Sequence, residues 1–228
     1  MDRSAISTAM QDYLKAIWDL TRSGEAAPTS AIAERLEVSA ASVSGMLKRL
    51  AALELVVHEP YQGTRLTVTG RRLALEMIRH HRLIELYLAE ALGVPWDRVH
   101  EEAERLEHVI SEDLERRMAA HLGDPHFDPH GAPIPRMDGE IPSMPGSRTL
   151  IEAEAGAPLR VTQVDDDPEL LRYLDGHGIG LGTPLEVVTR EPFGGPLVVR
   201  LGRGECRLGP EAAHRIRVAP HEPQESES

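Results

Sequence analysis

Four side chains between positions 100 and 108 have the types and spacing for metal chemistry: His100, Glu104, Glu107 and His108. On a continuous helix, positions i, i+4, i+7 and i+8 lie along one face, so these imidazoles and carboxylates would converge on one volume. His81 and Glu85, four residues apart, offer a second pair upstream. Imidazole and carboxylate suit first-row divalent ions, and packed helices lower the cost of gathering the charges in advance. Two other readings use the same residues. Glu101, Glu102, Glu104 and Glu107 could simply solvate an acidic face. A metal-dependent hydrolase could surround an open coordination position with the same groups, although no stretch of sequence signals a substrate pocket and no nucleophile, base and oxyanion grouping is visible.

Such ligands need helices to hold them. Apolar residues at Ile6, Met10, Leu14, Ile17, Trp18 and Leu20 predict a helix over 5–22, and Ile32, Ala33 and Leu36 predict a short one over Ala31–Leu36. A tight turn at Val38 and a cap at Ser39 lead into a third, Ser39–Leu53, with Val43, Met46, Leu47 and Leu50 inward. Two helices joined so closely read as a helix-turn-helix. Leu55–Val57, a turn at Tyr61–Thr64 and Arg65–Thr69 then read as a β-hairpin wing. A long helix is expected over Arg71–Leu92, and another from a cap at Asp97 to about Leu122.

The Pro- and Gly-rich stretch Asp124–Ser147 reads as a loop and domain boundary. Beyond it, Leu159–Val164, Leu185–Val188, Leu197–Leu201 and Ile216–Val218 suggest strands of a small β-barrel with one short helix, Pro168–Leu174. The expected class is mainly α with a small β-barrel. Its parts are a winged helix-turn-helix over 1–75, a helical dimerisation and metal-binding domain over 76–142, a linker at 143–150, an SH3-like domain over 151–220 and a tail at 221–228.

The net charge of −12 over 228 residues argues against nucleic acid until its distribution is considered. Residues 1–82 carry +2, residues 83–142 carry −9 and residues 143–228 carry −5. A basic face is therefore possible on the first block. Lys48 and Arg49 on the third helix and Arg65 at the wing, where Gln62 also sits, are candidates for phosphates, and Ser39, Ser42 and Ser44 for base edges. The lone Cys206 allows no intrachain disulfide or cysteine-rich zinc site and reads as structural. No apolar run is long enough to cross a membrane, and the first eleven residues lack a secretion signal. A cytoplasmic chain is expected.

From Thr8 to Val218 the sequence resembles the diphtheria-toxin-repressor family of metal-dependent regulators. The most specific stretches are HHRL at His80–Leu83 followed by Glu85, and VHEEAERLEH at Val99–His108 followed by Ser111. The resemblance implies a primary, controlling site of Asp12, Glu104, Glu107 and His108. It also implies an ancillary site of His81, Glu85 and His100, aided by Asp166 and Glu169 from the C-terminal domain. Iron-type members have methionine and cysteine where this chain has Asp12 and Glu104, whereas manganese-type members have carboxylates. Hard oxygen ligands suit manganese, so a Mn(II)-responsive repressor is implied, with Fe(II) or Zn(II) as alternatives. Manganese-type members usually have a glutamate where Lys15 stands, and commonly lack the third domain. Gly45 replaces a recognition glutamine of iron-type members. A homodimer on a palindromic double-stranded operator is the implied assembly.

Overall fold

The computed structural model describes residues 6–59, 62–202 and 204–221. Expectations that fall on Ala5, Tyr61 and the tail from residue 222 onward lie outside them. The chain forms two compact units. Unit 1 comprises residues 1–81, 105–115 and 135–141; unit 2 comprises 82–104, 116–134 and 142–228.

Unit 1 begins with α1 (Thr8–Leu20), α2 (Thr29–Arg35) and α3 (Ala40–Ala52). Ser7 and Ser39 stand before α1 and α3 and accept from the backbone N–H of Met10 and Ser42, satisfying donors that a helix start leaves free. The apolar stripes meet in one core of Leu14, Ile17, Ile32, Val43, Leu47, Leu50 and Leu55, all fully buried. Truncating a leucine there to alanine costs about 2–5 kcal/mol. Strands β1 (Val56–Glu59) and β2 (Gly63–Leu66) pair antiparallel as the wing, and Thr64 also bridges to Ala27 in the α1–α2 connection. Thr67 starts α4 (Val68–Leu92) by accepting from Gly70 N–H. Gly70 must be glycine, because a Cβ there would lie 1.9 Å from the carbonyl oxygen of Leu55.

The single helix expected over 97–122 is two helices, α5 (Val99–Leu106) and α6 (Glu112–His121). Ser111 separates them. Its hydroxyl accepts from Leu114 N–H and its carbonyl from Glu115 N–H, which begins a new helix. Glu107 and His108 therefore lie in the turn after α5, and the one-face argument does not apply to them.

In unit 2, β3 (Arg148–Thr149), β4 (Pro158–Val164), β5 (Pro184–Arg190), β6 (Leu197–Leu201), β7 (Gly204–Leu208) and β8 (Ile216–Pro220) form one sheet in the order β3-β8-β4-β5-β6-β7. Its ends, β3 and β7, do not pair, so the expected barrel is an open, bulged sheet. With 44% of the described residues helical, the expected mainly α class does not hold either. Two short helices, α7 (Pro168–Gly176) and α8 (Pro210–His214), complete the domain. Leu171, Leu174, Val187, Val199, Ile216 and Val218 are fully buried in its core. Among the described residues no helix is long and apolar enough to cross a membrane.

Candidate metal centre

In unit 1, Asp12 on α1 meets Glu107 and His108 in the turn after α5. One donor atom from each lies within 4.8 Å of the other two. His108 Nε2 stands 3.1 Å from Asp12 Oδ1 and 3.4 Å from Glu107 Oε1. Its other nitrogen, Nδ1, donates to Gln11 Oε1 at 2.6 Å. Coordination through Nε2 requires that nitrogen to be unprotonated, and the Gln11 contact can hold the remaining proton on Nδ1 in that state. Two carboxylates and an imidazole whose donor atoms converge within 4.8 Å form a set that fits a divalent ion.

Glu107 is buried. Lys15 Nζ donates to its two oxygens at 2.6 and 2.8 Å, and His81 Nδ1 to Oε2 at 2.6 Å. Burial pushes this carboxyl up, but the His81 hydrogen bond and the Lys15 charge outweigh burial and hold it below the ordinary range. His81, expected in the ancillary site, makes this contact with Glu107 as well. Glu115 is buried beside Arg79 and His80, and these partners likewise outweigh burial and lower its pKa.

In unit 2, His100 Nδ1 lies 3.3 Å from Glu85 Oε1 and makes a very short contact with Asp166 Oδ2. The Asp166 hydrogen bond, then that of Glu85, push the imidazole up to about 10. Without metal, His100 is therefore a cation lying between two carboxylates. Glu104 is exposed on α5, 4.0 Å from His100 Nε2, and Glu169 is exposed in the first turn of α7.

The same region holds two residues that sequence reasoning missed. Glu85, Asp128 and His130 are all buried, and one donor atom of each lies within 4.8 Å of the others. His130 Nε2 donates to the Trp96 carbonyl at 2.8 Å, which leaves the lone pair on Nδ1; that atom is buried without a hydrogen-bond partner. Asp166 Oδ1, also buried and unpaired, is 3.8 Å from His130 Nε2. Asp128 is pushed up to about 6, first by burial and then by the Glu85 charge. Orphaned buried lone pairs beside crowded carboxylates again fit a divalent cation. The sequence signal was the chemistry-bearing pair Asp128 and His130 in a loop that otherwise looked like linker.

If His100 serves as a ligand, it must first lose its proton. Loading this cluster at pH 7.5 is therefore expected to release about one proton from His100. Calorimetric titrations in buffers of different ionisation enthalpy would measure it, and His100→Gln should remove that release.

The DNA-facing candidates are grouped as the helix pattern requires. Ser39, Ser42, Ser44, Lys48 and Arg49 are all exposed on or just before α3, and Gln62 and Arg65 are exposed at the wing. Ser39 and Ser42 hydroxyls lie 2.8 Å apart, and Ser44 donates to the Ala40 carbonyl at 2.9 Å. Arg65 Nη1 donates to the Gly24 carbonyl at 2.5 Å, which anchors the guanidinium beside the wing.

Comparison with known proteins agrees with this architecture. A family model for the iron dependent repressor N-terminal DNA binding domain matches residues 5–64. One for the iron dependent repressor metal binding and dimerisation domain matches 67–136, and a FeoA domain model matches 148–220. The iron-dependent repressor IdeR of Mycobacterium leprae is 34% identical, covering 90% of this chain and 94% of its own length. A solved manganese-dependent transcriptional repressor in complex with manganese is 42% identical with a TM-score of 0.86, covering 92% of this chain and 99% of that one. The manganese regulator SloR is 32% identical with a TM-score of 0.77, over 92% and 98%. With full-length relatives, a helix-turn-helix carrying its wing and two clusters of metal-type ligands, the chain belongs to the diphtheria-toxin-repressor family of metal-dependent, DNA-binding transcriptional repressors.

Proposed function

We propose that this repressor is activated by Mn(II), and that Asp12, Glu107 and His108 form the site that controls it. The single observation carrying the site is the convergence of donor atoms from Asp12, Glu107 and His108 within 4.8 Å, with Gln11 against the other His108 nitrogen. A bound divalent ion would add positive charge between Asp12 and Glu107 and further tie α1 to the turn after α5. The carboxylate of Asp12 replaces a soft ligand of the iron type, and hard oxygen donors favour manganese through geometry and coordination number. A manganese-dependent repressor 42% identical over 92% of the chain supports the same metal.

We assign Glu85, His100, Asp128, His130 and Asp166 to a second site. We leave the exposed Glu104 and Glu169 unassigned. The chain is proposed to act in the cytoplasm as a homodimer on a palindromic operator. Residues 1–75 would read DNA, 76–142 pair the subunits, 143–150 link and 151–220 support the second site. Asp12 fixes the DNA-reading part relative to the dimer part, and hence the spacing of the two recognition helices. Selection from a random DNA library with Mn(II), Fe(II) or Zn(II), each at buffered free concentration and iron under anaerobic conditions, tests the assignment. Better activation by iron(II) than by manganese at equal free concentrations would reject manganese.

Lys48 and Arg49 are assigned to phosphates. Neutralising either to alanine should weaken binding alike on all sequences and lower the salt slope by about one unit. A salt titration of binding to matched and mismatched DNA checks this. An altered base preference with an unchanged slope would move the residue into the groove.

A further inference from the structure

Lys15 lies on α1, three residues after Asp12 and on the same side as the metal-type cluster. Its side chain is 16% exposed, the Glu107 side chain is 0% exposed, and the ammonium donates to both Glu107 oxygens. The buried carboxylate is thus neutralised by a cation from the same helix that supplies Asp12. This pair has two consequences for an ion arriving among Asp12, Glu107 and His108. The ion must share or take oxygen atoms already held by an ammonium, and it must sit within a few ångströms of a positive charge. Without the ion, the same ion pair keeps α1 against the turn after α5 and stops Glu107 from being a lone buried charge.

We infer that Lys15 is an internal competitor for Glu107, a positioning residue that raises the metal concentration at which the controlling site fills while preserving its shape when empty. This rests on the assignment of Asp12, Glu107 and His108 as that site. The opposing effects give Lys15 a signature that a merely structural lysine lacks. Removing its charge should weaken the metal-free fold and strengthen metal binding.

The test uses the full chain without DNA, with Mn(II) competed against a fluorescent chelator and metal-free melting followed in parallel. Lys15→Leu removes charge and donor; Lys15→Gln keeps a donor and serves if the leucine variant does not fold without metal. In both, the site should bind Mn(II) at least about tenfold more tightly, a conservative bound for removing a unit charge near a divalent ion, and the metal-free melting temperature should fall. Lys15→Arg, which keeps the cation, should stay close to wild type. Wild-type or weaker Mn(II) affinity in the neutral variants overturns the inference. His108→Ala separates the two levels: if it binds as many ions as wild type and as tightly, the site assignment itself fails, whatever Lys15 does.

Discussion

With His108 replaced by alanine, Mn(II) should no longer raise affinity for operator DNA. Coupling between an effector and its ligand typically amounts to a factor of about 5–150, and in His108→Ala the ratio of affinities with and without Mn(II) should collapse toward one. Although the His108 side chain is only 12% exposed, it belongs to none of the apolar core clusters, so the protein should remain folded. Asp12→Ala should behave in the same way from the other side of the cluster. Asp12 is 37% exposed and carries little of the α1 core, so loss of function there cannot be attributed to a cavity. Fluorescence anisotropy on selected DNA, with circular dichroism as the folding control, gives the answer. Full metal activation in either variant would show that the cluster is not the switch.

The helix-turn-helix was legible because its stripes have the period of a helix and Ser39 caps its second helix. Val43, Leu47 and Leu50 are buried and Ser42, Ser44, Lys48 and Arg49 exposed, as spacing alone demands. Asp12 and His108 were legible only through family resemblance, since no local pattern links residues 96 positions apart. The break before α6 was hidden because nothing in Glu107–Ser111 is a helix breaker; it comes from the Ser111 cap and from the buried Glu107 contacts with Lys15 and His81. β7 was missed because Glu205 and Arg207 interrupt any apolar run, as befits an edge strand whose outward side chains face water. Asp128 and His130 escaped because they sit in a Pro-rich loop whose order depends on long-range partners, which periodicity cannot register.

Asp128→Asn should have effects of opposite sign with and without metal. Asp128 titrates at about 6 in the fold against an ordinary 3.8. A carboxyl with a raised folded pKa favours the fold when protonated, so stability is fully present below the unfolded value and declines as pH rises through about 6. Two pKa units correspond to about 3 kcal/mol. Without metal at pH 7.5, Asp128→Asn should therefore be more stable than wild type, by up to that order. Its carbonyl can still accept from the His130 and Ala132 N–H groups, now at 2.8 and 2.9 Å, although the contact with Arg82 at 3.5 Å loses its charge. The stability of the variant should also be flatter between pH 4 and 7. With Mn(II) at about 100 times the dissociation constant, a filled site adds about 2.7 kcal/mol, and the variant should forfeit this increment for the second site. Urea titrations over that pH range, with chelator and with Mn(II), measure both signs. A variant that is less stable without metal yet gains as much from Mn(II) as wild type would remove Asp128 from the site.

The loop around Asp128 and His130 is also stitched to the C-terminal sheet. Val164 N–H on β4 donates to the His130 carbonyl, and a Cβ on Gly131 would lie 2.1 Å from the carbonyl oxygen of Thr162, so loop and strand run in direct backbone contact. Trp96 packs against the core of the sheet domain while its carbonyl holds His130. In terms of gene architecture, the third domain is then not an appendage that could be deleted cleanly. A chain ending near residue 147 would lose Asp166 outright and the scaffold that places Asp128 and His130. Gain or loss of this domain during the family's history would be expected to coincide with rebuilding of that loop, and shuffling the domain between relatives should succeed only when the loop travels with it.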